Sequence, residues 1–250
     1  MMGSILNMKS QVILFGDFSK INNGATTITT LLGALSKYNM LPSMFTEMEI
    51  SPQSPFPIQT NRISFVNPET GFNILFGVRR IEISQQITAA DGSNMKSPEE
   101  FALIVQDILV LVKSLLENTN FIRLAFVSEF FLLNLQEAQK DDIYKKLISL
   151  SLTDTPVKEW NVRSAFKGVE ADFNNEDINN ILSIERTQGM LIIQNQNSTL
   201  DDIKVTIDIN TDAINQVPKY DLEKVNQFLI FFKNLYNKDK TYLTSNIFEA

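Results

Sequence analysis

The stretch 97–117, SPEEFALIVQDILVLVKSLLE, constrains the fold most, because it encodes a complete helix near the middle of the chain. Ser97 is a good N-cap, Pro98 suits the first helical position, and Glu100 stands where a capping box needs an acid. The apolar residues that follow recur at helical spacing and cover about half of the helix circumference. The pattern therefore predicts a long helix whose broad apolar side faces the core.

Two apolar residues of this helix, Leu103 and Val110, lie on its otherwise polar side, seven residues apart. One interpretation is that a strand or loop of the same chain covers them. The other is that they contact a second subunit or a protein partner. We keep both as candidate explanations and mark the two residues as a predicted partner contact.

Length and charge narrow the class of protein. With 250 residues, 44% of them hydrophobic and 20% charged, the chain can form one large or two small globular domains. We find no apolar run of the roughly 18–20 residues that cross a bilayer, and no signal-peptide pattern at the start. We therefore expect a cytoplasmic protein without a membrane partner. A net charge of −7 with scattered Lys and Arg argues against general nucleic-acid binding.

The chain contains neither cysteine nor histidine. This excludes disulfides, thiolate nucleophiles, Ser-His-Asp triads and the usual zinc sites. Carboxylates, lysine, tyrosine and magnesium remain available for catalysis. We lean against an enzyme, and we predict no catalytic residues, no metal and no cofactor.

Hydrophobic periodicity divides the chain into two similar series of elements. Segments 62–66 and 72–84 form a predicted hairpin, and Gly77 in the second strand suggests a bulge or a close backbone approach. Segments 181–186 and 189–194 fit either a hairpin or one bent strand. The predicted elements are a strand at 11–19, a helix at 25–38, strands at 43–50, 62–66 and 72–84, the helix at 97–117, a strand at 121–133, a helix at 136–150, a loop at 153–156, strands at 158–173, 181–194 and 203–210, and a helix at 220–236.

The order of these elements predicts an α+β fold built from a duplicated βαβββα unit. The units span about 11–117 and 121–237 within a single domain, 1–250. The sheet is expected to be mainly antiparallel, with the helices packed on one side. Chance agreement between two mixed α+β segments is the alternative.

Charged residues within predicted strands are the main candidates for a binding site, because an unpaired buried charge is unfavourable. In a half-exposed sheet, most such residues are solvated or pair across strands. The alternative is a polar surface on the open sheet face that binds a ligand or a protein. Arg123 stands in an apolar strand and is expected to need a carboxylate, but Glu129 lies too far along that strand to pair with it. The predicted ligand-binding residues are Arg79, Arg80, Glu82, Arg123 and Glu129.

A third hypothesis is that a group of carboxylates forms a catalytic or metal site. Glu47 and Glu49 point to one face of a predicted strand, and together with Glu82 they could hold magnesium or act as an acid–base pair. No recognised metal-binding spacing accompanies them. A carboxylate- or metal-dependent hydrolase therefore stays a minor alternative.

The second half also resembles a known group of proteins. The run NFIRLAFVSEFFLLN, the KGVEADF strand, the VTIDIN strand and the closing DLEKVNQFLIFFKNLYNK helix are similar to a sporadically distributed, uncharacterised prokaryotic family of similar length. The resemblance covers about 121–237 and implies no catalytic residues. The duplicated plan also resembles effector-binding modules that hold a ligand in a groove between repeats.

Together these observations predict a non-enzymatic cytoplasmic interaction protein that binds a protein partner or forms a homo-oligomer. The excess of Asn and Ile is expected from an A/T-rich bacterial or phage genome, where conflict between phage and host is one setting for such a protein. The alternative is a small-molecule-binding regulator with its pocket between the repeats.

Overall fold

The computed structural model of the protein describes residues 4–49, 56–116, 119–148, 157–173, 175–193, 196–214 and 216–248. Within these ranges the chain forms a mixed α+β fold with one antiparallel sheet of nine strands. The strands are β1 (Ser4–Phe15), β2 (Leu41–Glu49), β3 (Ile58–Asn67), β4 (Phe72–Phe76), β5 (Arg80–Gln86), β6 (Arg123–Leu133), β7 (Trp160–Glu170), β8 (Glu176–Ile193) and β9 (Gln196–Thr211).

Four α-helices accompany the sheet in the described ranges. Short helical turns follow three of these helices, and another follows β7. The helices are α1 (Ala25–Leu35), α2 (Pro98–Leu111), α3 (Glu137–Leu147) and α4 (Leu222–Leu243). The predicted start of α2 is confirmed. The Ser97 hydroxyl accepts from the Glu100 N–H at 3.2 Å, and the Glu100 carboxylate accepts from the Ser97 N–H at 3.0 Å. This capping box satisfies two N–H groups at the helix end.

The sheet order is β2-β3-β4-β5-β1-β6-β9-β8-β7. The first strand of each half of the chain, β1 and β6, therefore pair at the centre, and the other strands of each half lie outward from them. This explains why residues 121–133 are so apolar, since β6 has a neighbour on both sides and a core on one face.

One face of the sheet carries the core. In β9 the predicted alternation is confirmed: Ile203, Val205, Ile207 and Ile209 are all buried. Phe126 of β6 lies on the same face, where its ring packs against rings of α2 and α4. The described contacts of α1 and α3 also fall on this side. We call the opposite side the open face.

The region 72–84 differs from the prediction of one bulged strand. It forms two antiparallel strands, β4 and β5, joined by a turn in which the Gly77 N–H donates to the Arg80 carbonyl at 2.9 Å. A side chain at Gly77 would approach the Glu47 carboxylate to 3.0 Å and the Arg80 carbonyl to 3.1 Å. The glycine therefore marks a crowded reversal, and the first half has one strand more than the predicted unit.

Other secondary-structure boundaries also differ from the prediction. β1 begins at Ser4 because residues before 11 continue to pair with β6. Segment 181–194 belongs to one strand, β8, as far as Ile193. Phe166 is exposed on β7, which is an edge strand. The predicted loop 153–156 lies outside the described residues.

Candidate functional site

Two of the predicted binding arginines flank one aromatic ring on the open face. Phe15, at the end of β1, pairs in register with Arg80 of β5 on one side and Arg123 of β6 on the other. The Arg123 guanidinium carbon lies 5.0 Å from the centre of the Phe15 ring. A cation over an aromatic face is attracted by the ring quadrupole, so Phe15 helps to hold Arg123 in place.

Arg123 has few polar partners for an arginine in an apolar strand. Its Nη2 donates to the Asn210 side-chain oxygen at 3.2 Å, while its Nε is buried and has no hydrogen-bond partner in the described structure. The predicted carboxylate partner is replaced by an amide at hydrogen-bond distance. Asp208 lies near enough to respond to the charge: burial raises its pKa, and Arg123 and Arg163 act in the opposite direction.

The predicted binding residues do not form one site. Exposed Arg80 forms an ion pair with the half-buried Glu82, Nε–Oε2 3.4 Å. Glu129 lies six residues beyond Arg123, as expected, and is bridged to Glu185 through Lys204 at 3.4 and 3.5 Å. The open face therefore holds a cationic group near Phe15 and a separate mixed-charge row around Lys204.

A pocket of about 800 Å³ opens beside Phe15, where the two halves of the chain meet. Arg79 and Lys20 supply its positive charges. Backbone and side-chain hydrogen bonds from Ser19 lower the pKa of Asp17, the acid at the pocket, and both cations add to the effect. The lining residues are Phe15, Gly16, Asp17, Phe18, Lys20, Ile21, Arg79, Leu115, Thr119, Asn120, Ile122, Gln216 and Pro218.

A second candidate surface lies on the outside of the helical layer. α2 and α4 pack together, and the Gln106 amide reaches the Asn226 carbonyl between them at 3.5 Å. Leu103 is 59% exposed and Val110 63%, so the interpretation that a described strand or loop covers them is wrong. Ile230 of α4 is exposed to a similar degree. We call Leu103, Val110 and Ile230 the outer helix surface.

The proposed carboxylate set is engaged in structural contacts. Glu47 Oε2 accepts from the Val78 N–H at 2.7 Å, and Glu82 pairs with Arg80. The Glu49 side chain lies outside the described part of the structure. Among the described side chains, no group of three or more acids, histidines or cysteines is placed to hold a metal ion.

Sequence reasoning missed three residues of these surfaces: Phe15, Lys20 and Ile230. Phe15 carried a signal, because it ends a strand with its ring on the open face. Ile230 stands in the run FLIFF, where a helical projection separates it from its buried neighbours Leu229 and Phe231. Lys20 lies in a turn, where no hydrophobic periodicity predicts the direction of a side chain.

Comparison with protein-family models and with curated proteins finds no match for this chain. The resemblance to a prokaryotic family therefore stays a prediction. None of the helices in the described part of the chain has the length and apolar character needed to span a membrane.

Proposed function

We propose that this chain is a non-enzymatic interaction protein that binds a protein partner through the outer helix surface. The observation that carries the proposal is that Leu103 and Val110 are more than half exposed on a helix whose other apolar residues are buried or half-buried. Exposed apolar side chains grouped on one surface are typical of contact sites.

The outer helix surface has the layout of a small protein contact. Leu103 and Val110 stand two turns apart, about 10 Å along the axis, and Ile230 adds a third aliphatic side chain from the neighbouring helix. Asp107 lies between them in sequence and bonds both Lys37 and the Tyr38 hydroxyl. An apolar centre beside fixed polar groups matches the core and rim of protein interfaces.

We further infer that the two halves arose by duplication of a strand–helix–strands–helix unit. The sheet order supports this, since β1 and β6 are central, α1 and α3 follow them, and β2 and β7 are the two edges. The extra strand in the first half comes from the turn at Gly77. A bacterial or phage origin and a cytoplasmic setting belong to the same proposal and rest on composition.

A second candidate function is binding of a small organic anion in the pocket between the halves. Its support is the combination of an apolar interior, including Phe18 and Ile21, with the cations Arg79 and Lys20 in a pocket of about 800 Å³. A carboxylate on an apolar body fits this chemistry. The pocket volume lies in the range of small-molecule sites. The carboxylate-dependent hydrolase stays a third alternative without a specific observation in its favour.

Photo-crosslinking tests the leading proposal. A benzophenone amino acid placed at Leu103 or Ile230, in protein expressed in the source organism, should give a discrete heavier adduct. The same probe at exposed Ala165 of β7 serves as control and should not. Val110→Glu should abolish the adduct formed from Leu103, because a charge in an apolar contact is unfavourable. Equal labelling from Ala165, or no discrete adduct from either helix position, would contradict the proposal.

A further inference from the structure

The sheet ends at two edge strands, β2 and β7, and no described strand pairs with the outer edge of either. An uncovered edge presents unpaired N–H and C=O groups that can add another strand. Proteins commonly block such an edge with Lys, Arg or other charges. The two edges of this sheet differ in that respect.

β2 is the less protected edge. Its sequence, LPSMFTEME, contains no Lys or Arg, and its charges are Glu47 and Glu49 near one end. Both edges expose apolar side chains: Leu41, Met44 and Met48 on β2, and Phe166 and Val169 on β7. β7 differs in carrying two exposed cations, Arg163 and Lys167, which oppose pairing with another strand.

Strand direction decides how two copies can join. The sheet has nine strands and every neighbouring pair is antiparallel, so β2 and β7 run in the same direction. Joining β2 of one copy to β7 of another, with the helices of both copies on the same side of the sheet, would therefore be parallel. Joining β2 to β2 about a two-fold axis perpendicular to the sheet is antiparallel, like the rest of the sheet, and closes as a dimer.

The residue pattern of β2 is also self-complementary. Full overlap about Phe45 places Glu47 opposite Ser43 and Glu49 opposite Leu41, so that no like charges face each other. Pro42 removes one N–H near the end of the strand, which leaves the central residues to form the ladder. The same operation on β7, centred on Ala165, would place Arg163 opposite Lys167. Like charges directly opposite are unfavourable in a sheet.

We propose that a second copy of this chain occupies the β2 edge, and that the protein forms a two-fold dimer through antiparallel β2–β2 pairing. Because the axis is perpendicular to the sheet, the helices of both copies lie on one side. The dimer therefore presents two outer helix surfaces side by side, a consequence that rests on the proposed function. Two nine-residue strands form a small interface, so we expect a weak dimer.

Sedimentation or light scattering over about 1–300 µM should show the mass rising from 28.4 kDa towards twice that value. Ser43 is exposed, so the monomer should tolerate replacing it. Ser43→Glu sets two new carboxylates against Glu47 of the opposite copy, and the Kd should rise about tenfold. Ser43→Lys sets two lysines against the same glutamates, and the Kd should fall. Ala165→Glu on β7 is the matched control and should leave the Kd unchanged.

A wild type that stays at 28.4 kDa would overturn the dimer. So would a shift of the same sign for Ser43→Glu and Ser43→Lys, or dissociation caused by Ala165→Glu. These results are separate from the test of the outer helix surface. Crosslinking from Leu103 should persist in Ser43→Glu, so the dimer can fail while the partner surface stands.

Discussion

Arg62 in the first half and Arg186 in the second are both buried in strands next to an edge of the sheet, but their guanidinium groups meet different partners. Among the described residues, Arg62 donates only to backbone: Nε to the Phe76 carbonyl at 3.0 Å, and Nη2 to the Phe18 and Gly77 carbonyls at 2.8 and 3.2 Å. Burial lowers the pKa of Arg62, and the nearby charge of Glu47 opposes this.

Arg186 lies instead between two carboxylates. Its Nη2 lies 2.9 Å from both oxygens of Glu137 and 2.6 Å from Asp201 Oδ2, and its Nε donates to Asp201 Oδ1 at 2.8 Å. Buried Lys140 joins both acids at 3.2 Å. The hydrogen bonds that Arg186 donates to Asp201 raise the pKa of Arg186 and lower the pKa of Asp201.

Arg62 and Arg186 are buried cations that are stabilised in two different ways. Arg62 connects the loop after β1 with the end of β4 and its turn, because carbonyl groups of both accept hydrogen bonds from its guanidinium. Arg186 ties the start of α3 to the sheet through charge. The stabilisation by Arg62 should change little at acid pH, and it should be lost when the guanidinium donors are removed. The stabilisation by Arg186 should depend on pH. If Arg186 is removed, Glu137 and Asp201 can still bind Lys140 or water.

The largest effect is expected for Arg62→Met. Three carbonyl groups would lose their bond from the guanidinium, although the Phe18 carbonyl keeps its bond from the Ile21 N–H at 2.9 Å. We expect the free energy of unfolding to fall by about 3 kcal/mol. Urea denaturation followed by circular dichroism measures it. Arg80→Met is the matched control, because Arg80 is exposed, and it should cost less than about 0.5 kcal/mol. A loss for Arg62→Met as small as that of the control would show that water replaces the guanidinium.

A smaller loss, about 2 kcal/mol, is expected for Arg186→Met. Breaking a buried ion pair usually costs more, but Glu137 and part of Asp201 are exposed, and Lys140 still reaches both acids. If Arg186→Met proved more destabilising than Arg62→Met, ion pairs would stabilise a buried arginine of this protein more than hydrogen bonds to backbone carbonyls do. That result would contradict the expected order.

This loss should also depend on pH. The pKa values of Asp201 and Glu137 are lowered in the folded state, chiefly by hydrogen bonds from Arg186. Their stabilising contribution is therefore complete above the ordinary carboxyl pKa, near 4, and disappears as the pH falls through the lowered folded value. The difference between wild type and Arg186→Met should narrow from pH 5 to pH 2. The loss from Arg62→Met should change less over that interval.

The sequence predicts part of this picture. The alternation of β9 and the cap of α2 depend on neighbours within a few residues, and both were predictable. Arg62 and Arg186 appeared only as charged residues in strands, expected to be solvated or paired across strands. Their true partners lie 14 to 49 residues away in loops, turns, a neighbouring strand and a helix, and no local period encodes such distances. The turn at Gly77 was missed for a related reason, since the crowding there comes from Glu47.

The smallest effect tests whether Arg62 depends on charge at all. Glu47→Gln removes the carboxylate charge near Arg62 but keeps an oxygen that can accept from the Val78 N–H, now bonded at 2.7 Å. If backbone carbonyls hold Arg62, denaturation should show a loss below about 1 kcal/mol. Glu47→Ala, which removes the acceptor as well, should cost more than Glu47→Gln. A loss from Glu47→Gln approaching that of Arg62→Met would mean that Glu47 neutralises Arg62 as Glu137 and Asp201 neutralise Arg186. The two halves would then stabilise their buried arginines by the same means.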